Sequence, residues 1–257
     1  MNIFKNLYSY RELLKTNVKK DVRGKYKKST LGVLWSFLNP LLQIVVYSFV
    51  FGKILNASED NYAIFICCGL IPWIFFSTSI NRSTMAIVDG GAILKKVYFP
   101  REIFPISVIT AEAVNFVIST IIILAFVLIG GVGISRYWLF YPLILLVLYI
   151  FLVGASLILS SITVYFRDLQ HFTAVFLQLL FYATPVAYAG GRVPESYQWI
   201  LHLNPMSYII QGFRDIFLYH QAPNVIALLI LGAISLVLCV IGYLLFNKLQ
   251  KRFAEEL

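Results

Sequence analysis

Charge is scarce in this sequence: 13% of its 257 residues are Asp, Glu, Lys or Arg, against about a quarter in a soluble domain. Water is therefore excluded as the principal solvent of the chain. Cysteine is also rare. Cys67, Cys68 and Cys239 form no CxxC or other metal-ligand spacing, which removes a redox dithiol and a zinc ribbon. Each falls in an apolar stretch, where a thiol behaves as a small hydrophobe. His171, His202 and His220 are scattered, and HExxH, GxSxG and Cys/His constellations are missing, so neither a catalytic nor a metal site is expected. A Gly-x-x-x-x-Gly-Lys-[Ser/Thr] loop is missing as well. The chain cannot cradle nucleotide phosphates in that way, no cofactor is expected on it, and any ATP must be hydrolysed by another polypeptide. No cleavable signal peptide is legible, because the basic leader before Leu31 is too long and no A-x-A-like site follows a short apolar core.

What is present is apolar sequence in long windows. Hydrophobic residues make up 60% of the chain and the mean hydropathy is +0.80. A spanning helix takes about 20 such residues, and apolar windows over 31–55, 62–81, 103–130, 138–166, 169–189 and 225–247, whose only charges are Lys53 and Glu112, predict six spans. The predicted class is an all-α integral membrane protein. Residues 1–30 carry nine Lys/Arg with Phe4, Leu7, Tyr8, Leu14, Val18 and Val22 at helical spacing, the pattern of a basic amphipathic helix lying in the membrane interface. That helix and a six-span domain over 31–257 are the expected organisation. With loops assigned alternately, one side holds 17 Lys/Arg and the other four, namely Lys53, Arg136, Arg192 and Arg214. The positive-inside rule then places both termini in the cytoplasm of an inner-membrane protein. The net charge of +9 has no water-exposed domain to display it, which argues against nucleic acid as partner.

Between the fifth and sixth windows, residues 190–223 are too apolar for a loop and too interrupted for a span. Stretches 197–203 and 206–218 flank Asn204-Pro205 and predict two short re-entrant helices, which survive at membrane depth only against protein or a cavity. Glu112 is the one carboxylate well inside a span. An intramembrane acid marks function by default, but pairing with Arg101 or Arg82, or a wet cavity, also accounts for it. Two compact connectors, 90–105 (GGAILKKVYFPREIFP) and 164–169 (VYFRDL), suit transfer of force from a soluble motor or simply join spans. Trp35, Trp73, Trp138 and Trp199 fall near predicted span ends, as an interfacial belt requires. Tyr47, Phe65, Phe75, Phe76, Tyr182 and Tyr188 suit either such packing or a carbohydrate path, since sugar C–H faces stack on rings.

Five stretches in order carry a family resemblance: 26–41 (YKKSTLGVLWSFLNPL), 69–77 (GLIPWIFFS), 94–105 (LKKVYFPREIFP), 165–169 (YFRDL) and 203–217 (LNPMSYIIQGFRDIF). Together they resemble the permease subunits of ATP-binding-cassette polysaccharide exporters, which move O-antigen, capsular polysaccharide or teichoic acid. The resemblance implies a homodimer docked to two copies of a separate ATPase that binds ATP and Mg, exporting a glycan on a polyprenyl-diphosphate lipid. It implies ATPase contact through the N-terminal helix and 94–105. Candidate coupling residues across the two connectors are Lys95, Lys96, Arg101, Glu102, Arg167 and Asp168. A diphosphate needs cations, and Arg23, Lys25, Lys27, Lys28 and Arg82 lie at the cytoplasmic level, where they would also attract anionic membrane lipid. Readings left open are export of a drug or lipid, an ion-coupled secondary transporter, and a membrane-embedded glycan-transferring enzyme using Asp89, Glu102 or Asp168.

Overall fold

The computed structural model describes residues 3–24, 34–54, 59, 61–94 and 99–256. Lys25, Lys27, Lys28, Lys95 and Lys96 lie outside the described residues. Every regular element described is helical. In chain order these are α1 (Ile3–Ser9), α2 (Arg11–Gly24), α3 (Trp35–Tyr47), α4 (Tyr62–Thr84), α5 (Ala86–Asp89), α6 (Gly91–Leu94), α7 (Ile103–Ile129), α8 (Tyr141–Thr163), α9 (Leu169–Tyr182), α10 (Gln198–Leu203), α11 (Pro205–Phe217), α12 (Val225–Leu249) and α13 (Phe253–Glu256).

Among the described residues five helical segments are long and apolar enough to cross a membrane: Trp35–Ile54, Tyr62–Thr84, Ile103–Ile129, Arg136–Thr163 and Val225–Arg252. The fifth expected window, 169–189, is cut short. Its helix α9 stops at Tyr182 after 14 residues, about 21 Å of rise against a hydrocarbon core of about 30 Å. Pro185 is the local cause, because proline disfavours helical backbone at the preceding Thr184. The expected single amphipathic helix over 1–30 is likewise divided at Tyr10 into α1 and α2.

Helix α4 is the axis of the bundle. Its apolar residues run all round the helix, so it is buried on nearly every side, as residues 64–73 show. Trp73, expected near a span end, sits mid-helix at 6% exposure between Phe76 and Phe181. Asn61, at φ 52°, starts α4 from a left-handed conformation that asparagine tolerates. Helices α8 and α12 pack with backbones nearly touching: a Cβ on Gly154 would meet the amide nitrogen of Cys239 at 2.7 Å, the small-residue contact that lets membrane helices approach closely. Many hydroxyls inside the spans are satisfied locally or across helices, although those of Ser79 and Ser160 find no partner among the described residues. Thr84 donates to the Ile80 carbonyl at 2.8 Å, while Thr110 meets Tyr149 and Thr120 meets Tyr141, each at 2.9 Å.

By contrast α3 lies loosely on the bundle, with 11% of its spanning window buried against 78% for α4. Pro40 removes one hydrogen bond from its interior, and the helix widens into a π-helical stretch, Ser48–Ile54. Helices α10 and α11 follow α9. Asn204 joins them to it, since its side-chain oxygen caps Met206 at 3.0 Å and its amide donates to Thr184 Oγ1 at 2.7 Å.

Candidate functional site

Helix α3 carries a polar stripe: Ser36, Asn39, Gln43 and Tyr47 recur at three or four residues and so share one face. Two cavities open along it. One of about 210 Å³ lies between α3, α4 and α7 and takes in Asn39, Gln43, Thr78, Glu112 and Asn115. The other, of about 400 Å³, lies between α3, α4 and α9, with Gln43, Tyr47, Asn81, Gln178 and Tyr182 in its wall. Both are bounded by Gln43, Ile74 and Thr78, so they form one polar groove at span depth. Unpaired amides in hydrocarbon cost several kcal/mol each. This face therefore suits water or a polar passenger, not lipid tails.

Of the six aromatic candidates, Tyr47 and Tyr182 border the larger cavity and Phe75 the smaller. Phe75 stacks on Phe116 at 4.8 Å between centroids. Phe65 is buried under Arg214, and Phe76 packs against Trp73 and Phe151. Tyr188 donates to the Tyr182 carbonyl at 3.0 Å.

Charges gather in two further groups, one between α2, α4 and α7 and the other between α1, the residues leading into α7 and the C-terminal end of α12. Arg82, in the last turn of α4, is bound to Glu112 of α7 and lies 3.7 Å from Asp21 of α2. Of the two partners weighed in sequence for Glu112, the structure supplies Arg82. Burial pushes the Asp21 carboxyl up from its usual range, with Arg82 and Lys20 opposing that rise. Glu102 is turned inward, 2% exposed, and accepts from Asn6 at 2.8 Å. Arg101 donates to the Gln250 carbonyl and stands over the Phe253 ring. Around them is a hollow of about 750 Å³ bounded by Asn6, Tyr10, Phe99, Arg101, Asn247 and Lys251. Arg23 is exposed in the last turn of α2. Arg167 and Asp168 are exposed between α8 and α9, and Asp168 precedes α9 without a side-chain capping bond.

Arg214, counted in sequence only as a charge of the outer side, is 1% exposed. Its guanidinium donates to the Val186 carbonyl at 2.8 Å and lies over Phe65. The sequence reading missed this role, as it missed Asp21 and Asn204. The signal for Asn204 was present in Asn-Pro before an apolar helical face; for Asp21 and Arg214 the partners are distant in sequence. Among the described residues no group of three or more His, Cys, Asp or Glu could hold a metal.

The chain matches the family described as ABC-2 type transporter over residues 12–218. It is 36% identical over 247 residues to an "O-antigen export system permease protein RfbA" of Klebsiella pneumoniae, covering 96% of this chain and 95% of that one. A protein of the same description from Myxococcus xanthus is 34% identical over 259 residues, with both chains covered in full. The "Polysialic acid transport protein KpsM" of Escherichia coli is 24% identical over 241 residues, covering 90% and 91%. Family match and full-length relatives coincide with a bundle of apolar helices bearing a polar groove, and the chain belongs to the ABC-2 type transporter family, as a multi-pass membrane component of a transporter.

Proposed function

We propose that this chain is the membrane-spanning subunit of an ATP-driven exporter that carries a polysaccharide, linked by diphosphate to a polyprenyl lipid, across the inner membrane. The observation that carries the reading is the polar groove along α3 at span depth, in a chain colinear with proteins named for O-antigen export. A glycan needs amides and hydroxyls for its own hydroxyls, and ring faces for its C–H faces; Gln43, Thr78, Gln178, Tyr47 and Tyr182 supply both kinds. In this reading α9 together with the residues that follow it to 189 makes the fifth of six crossings, α10 and α11 are re-entrant, both termini are cytoplasmic, and two copies enclose the path.

ATP and Mg belong to a separate ATPase subunit. The hollow of about 750 Å³ beside Arg101 and Lys251, and the exposed turn at Arg167 and Asp168, are the surfaces offered to it. Lys95 and Lys96 belong to the same coupling connector. Arg23, Lys25, Lys27, Lys28 and Arg82 supply positive charge at the level of the lipid diphosphate. The test is deletion of the gene in its host, with surface polysaccharide and intracellular lipid-linked glycan both measured. Loss of the first with accumulation of the second, restored by the wild-type chain, supports the reading; normal surface glycan in the deletion, or a drug or phospholipid as the retained cargo, contradicts it.

A further inference from the structure

Arg82 reaches in two directions from the end of α4. One guanidinium nitrogen donates to Oε1 of Glu112, and the other lies 3.7 Å from Oδ2 of Asp21. The two ends of this strap differ in burial. Glu112 is 3% exposed, and its second carboxylate oxygen accepts from Asn115 at 3.4 Å. Asp21 retains a quarter of its side-chain exposure.

Two cavities meet at the strap. Glu112 and Asn115 wall the 210 Å³ space between α3, α4 and α7. Arg82 and Asp21 wall another of about 330 Å³ beneath α2, beside Asn17, whose amide nitrogen is buried without an acceptor among the described residues. Removing the partner of a buried carboxylate is strongly unfavourable, whereas a part-exposed ion pair contributes little. Arg82 therefore stays with Glu112, and the contact to Asp21 opens and closes cheaply.

We propose that Arg82 is a positioning residue that ties the amphipathic helix α2 to the cavity between α3, α4 and α7, so that displacement of α2 is transmitted to Glu112 and the groove. Three helices distant in sequence converge on its one guanidinium. A shift of α2 alters what the second nitrogen meets, while the first remains bound in the cavity wall. The functional arm of this inference rests on the export reading above; its structural arm does not.

The permease is tested together with its cognate ATPase as wild type, Asp21→Asn, Asp21→Glu and Glu12→Gln. The last removes an exposed carboxylate of α2 that pairs only with Lys15 and Arg11 among the described residues. Asp21→Asn is expected to keep membrane abundance, copurification and ATP hydrolysis while surface polysaccharide falls about three- to fivefold, the scale of one part-exposed ion pair. Asp21→Glu is expected to restore export, and Glu12→Gln to leave it unchanged. Wild-type export in Asp21→Asn overturns the proposal, as does a loss of export that only follows a loss of abundance. A second measurement needs no cargo: nitroxide labels at Lys19 and Val117 of the purified permease in nanodiscs report the spacing of α2 and α7. A narrow distance distribution that broadens in Asp21→Asn and narrows again in Asp21→Glu supports the strap. Equal distributions in all three overturn it whatever the cargo proves to be.

Discussion

The guanidinium carbon of Arg214 lies 3.5 Å from the centroid of the Phe65 ring, a cation resting on an aromatic face inside the protein. Among the described residues no carboxylate pairs with it; the ring and the Val186 carbonyl take that place. The contact joins α11 to α4 and to the segment leaving α9. Gly69, one turn from Phe65, makes room for it: a Cβ there would lie 2.6 Å from the Val186 oxygen and 3.1 Å from Nη2 of Arg214. Gly69→Ala is therefore expected to cost ~1–3 kcal/mol through overpacking. Arg214→Lys is expected to be destabilising too, because a compact ammonium cannot both cover the ring and reach the carbonyl as a planar fork does. Thermal unfolding in nanodiscs checks both, and an unchanged midpoint for either contradicts this packing.

The long spans were legible because an apolar window at membrane scale has few other uses, and the helix 103–129 ends within a residue of its predicted window. The shortening of α9 was legible too, at Thr184-Pro185, but apolar composition outweighed that punctuation. Arg214 was not. Charge counting cannot tell a solvated arginine from one buried on Phe65, 149 residues away. The groove stood half in view: Asn39 and Gln43 are conspicuous in an apolar window, but only packing brings Thr78, Asn115 and Gln178 to the same space. Asp21 remained hidden because its partner depends on how α2 docks.

The proposed orientation, with both termini cytoplasmic, rests on the distribution of basic residues, and the burial of Arg214 leaves that argument standing, since it removes a charge from the poorer side. Single cysteines at Ser135 and Ser196 are expected to react with an impermeant maleimide from outside, and those at Lys20 and Arg167 only after permeabilisation. Cys67 and Cys68 are buried and add little background. A Lys20 reporter labelled in intact cells reverses the topology.

Arg167 and Asp168 are exposed in a turn too short to retreat into the bundle. Because Asp168 makes no side-chain capping bond, Asp168→Ala is expected to cost less than the ~0.5–2 kcal/mol of a true N-cap. Arg167→Ala is expected to leave membrane abundance intact and to lower both ATPase copurification and surface polysaccharide. If assembly and export stay at wild-type levels, coupling belongs to the connector at 94–105 instead.

Gln43 borders both halves of the groove. Gln43→Leu keeps a similar volume and removes the amide, so it is expected to preserve abundance and ATP hydrolysis by the complex while surface polysaccharide drops severalfold. Leu42→Gln, on an exposed apolar position next to it, is expected to lower insertion instead, because an exposed apolar position on a spanning helix suits lipid and a polar amide there does not. Equal export in wild type and Gln43→Leu removes the groove from the path.

ATP-driven glycan export is tested most directly in proteoliposomes holding the purified permease and its ATPase, loaded with a fluorescent polyprenyl-diphosphate glycan accessible to the ATPase side. Appearance of the glycan on the far side is followed with a glycosidase added there. Digestion that requires ATP and the permease, with no hydrolysis by the permease alone, is the expected result. Far-side digestion without ATP, or ATP hydrolysis by the complex that moves no glycan, would contradict it.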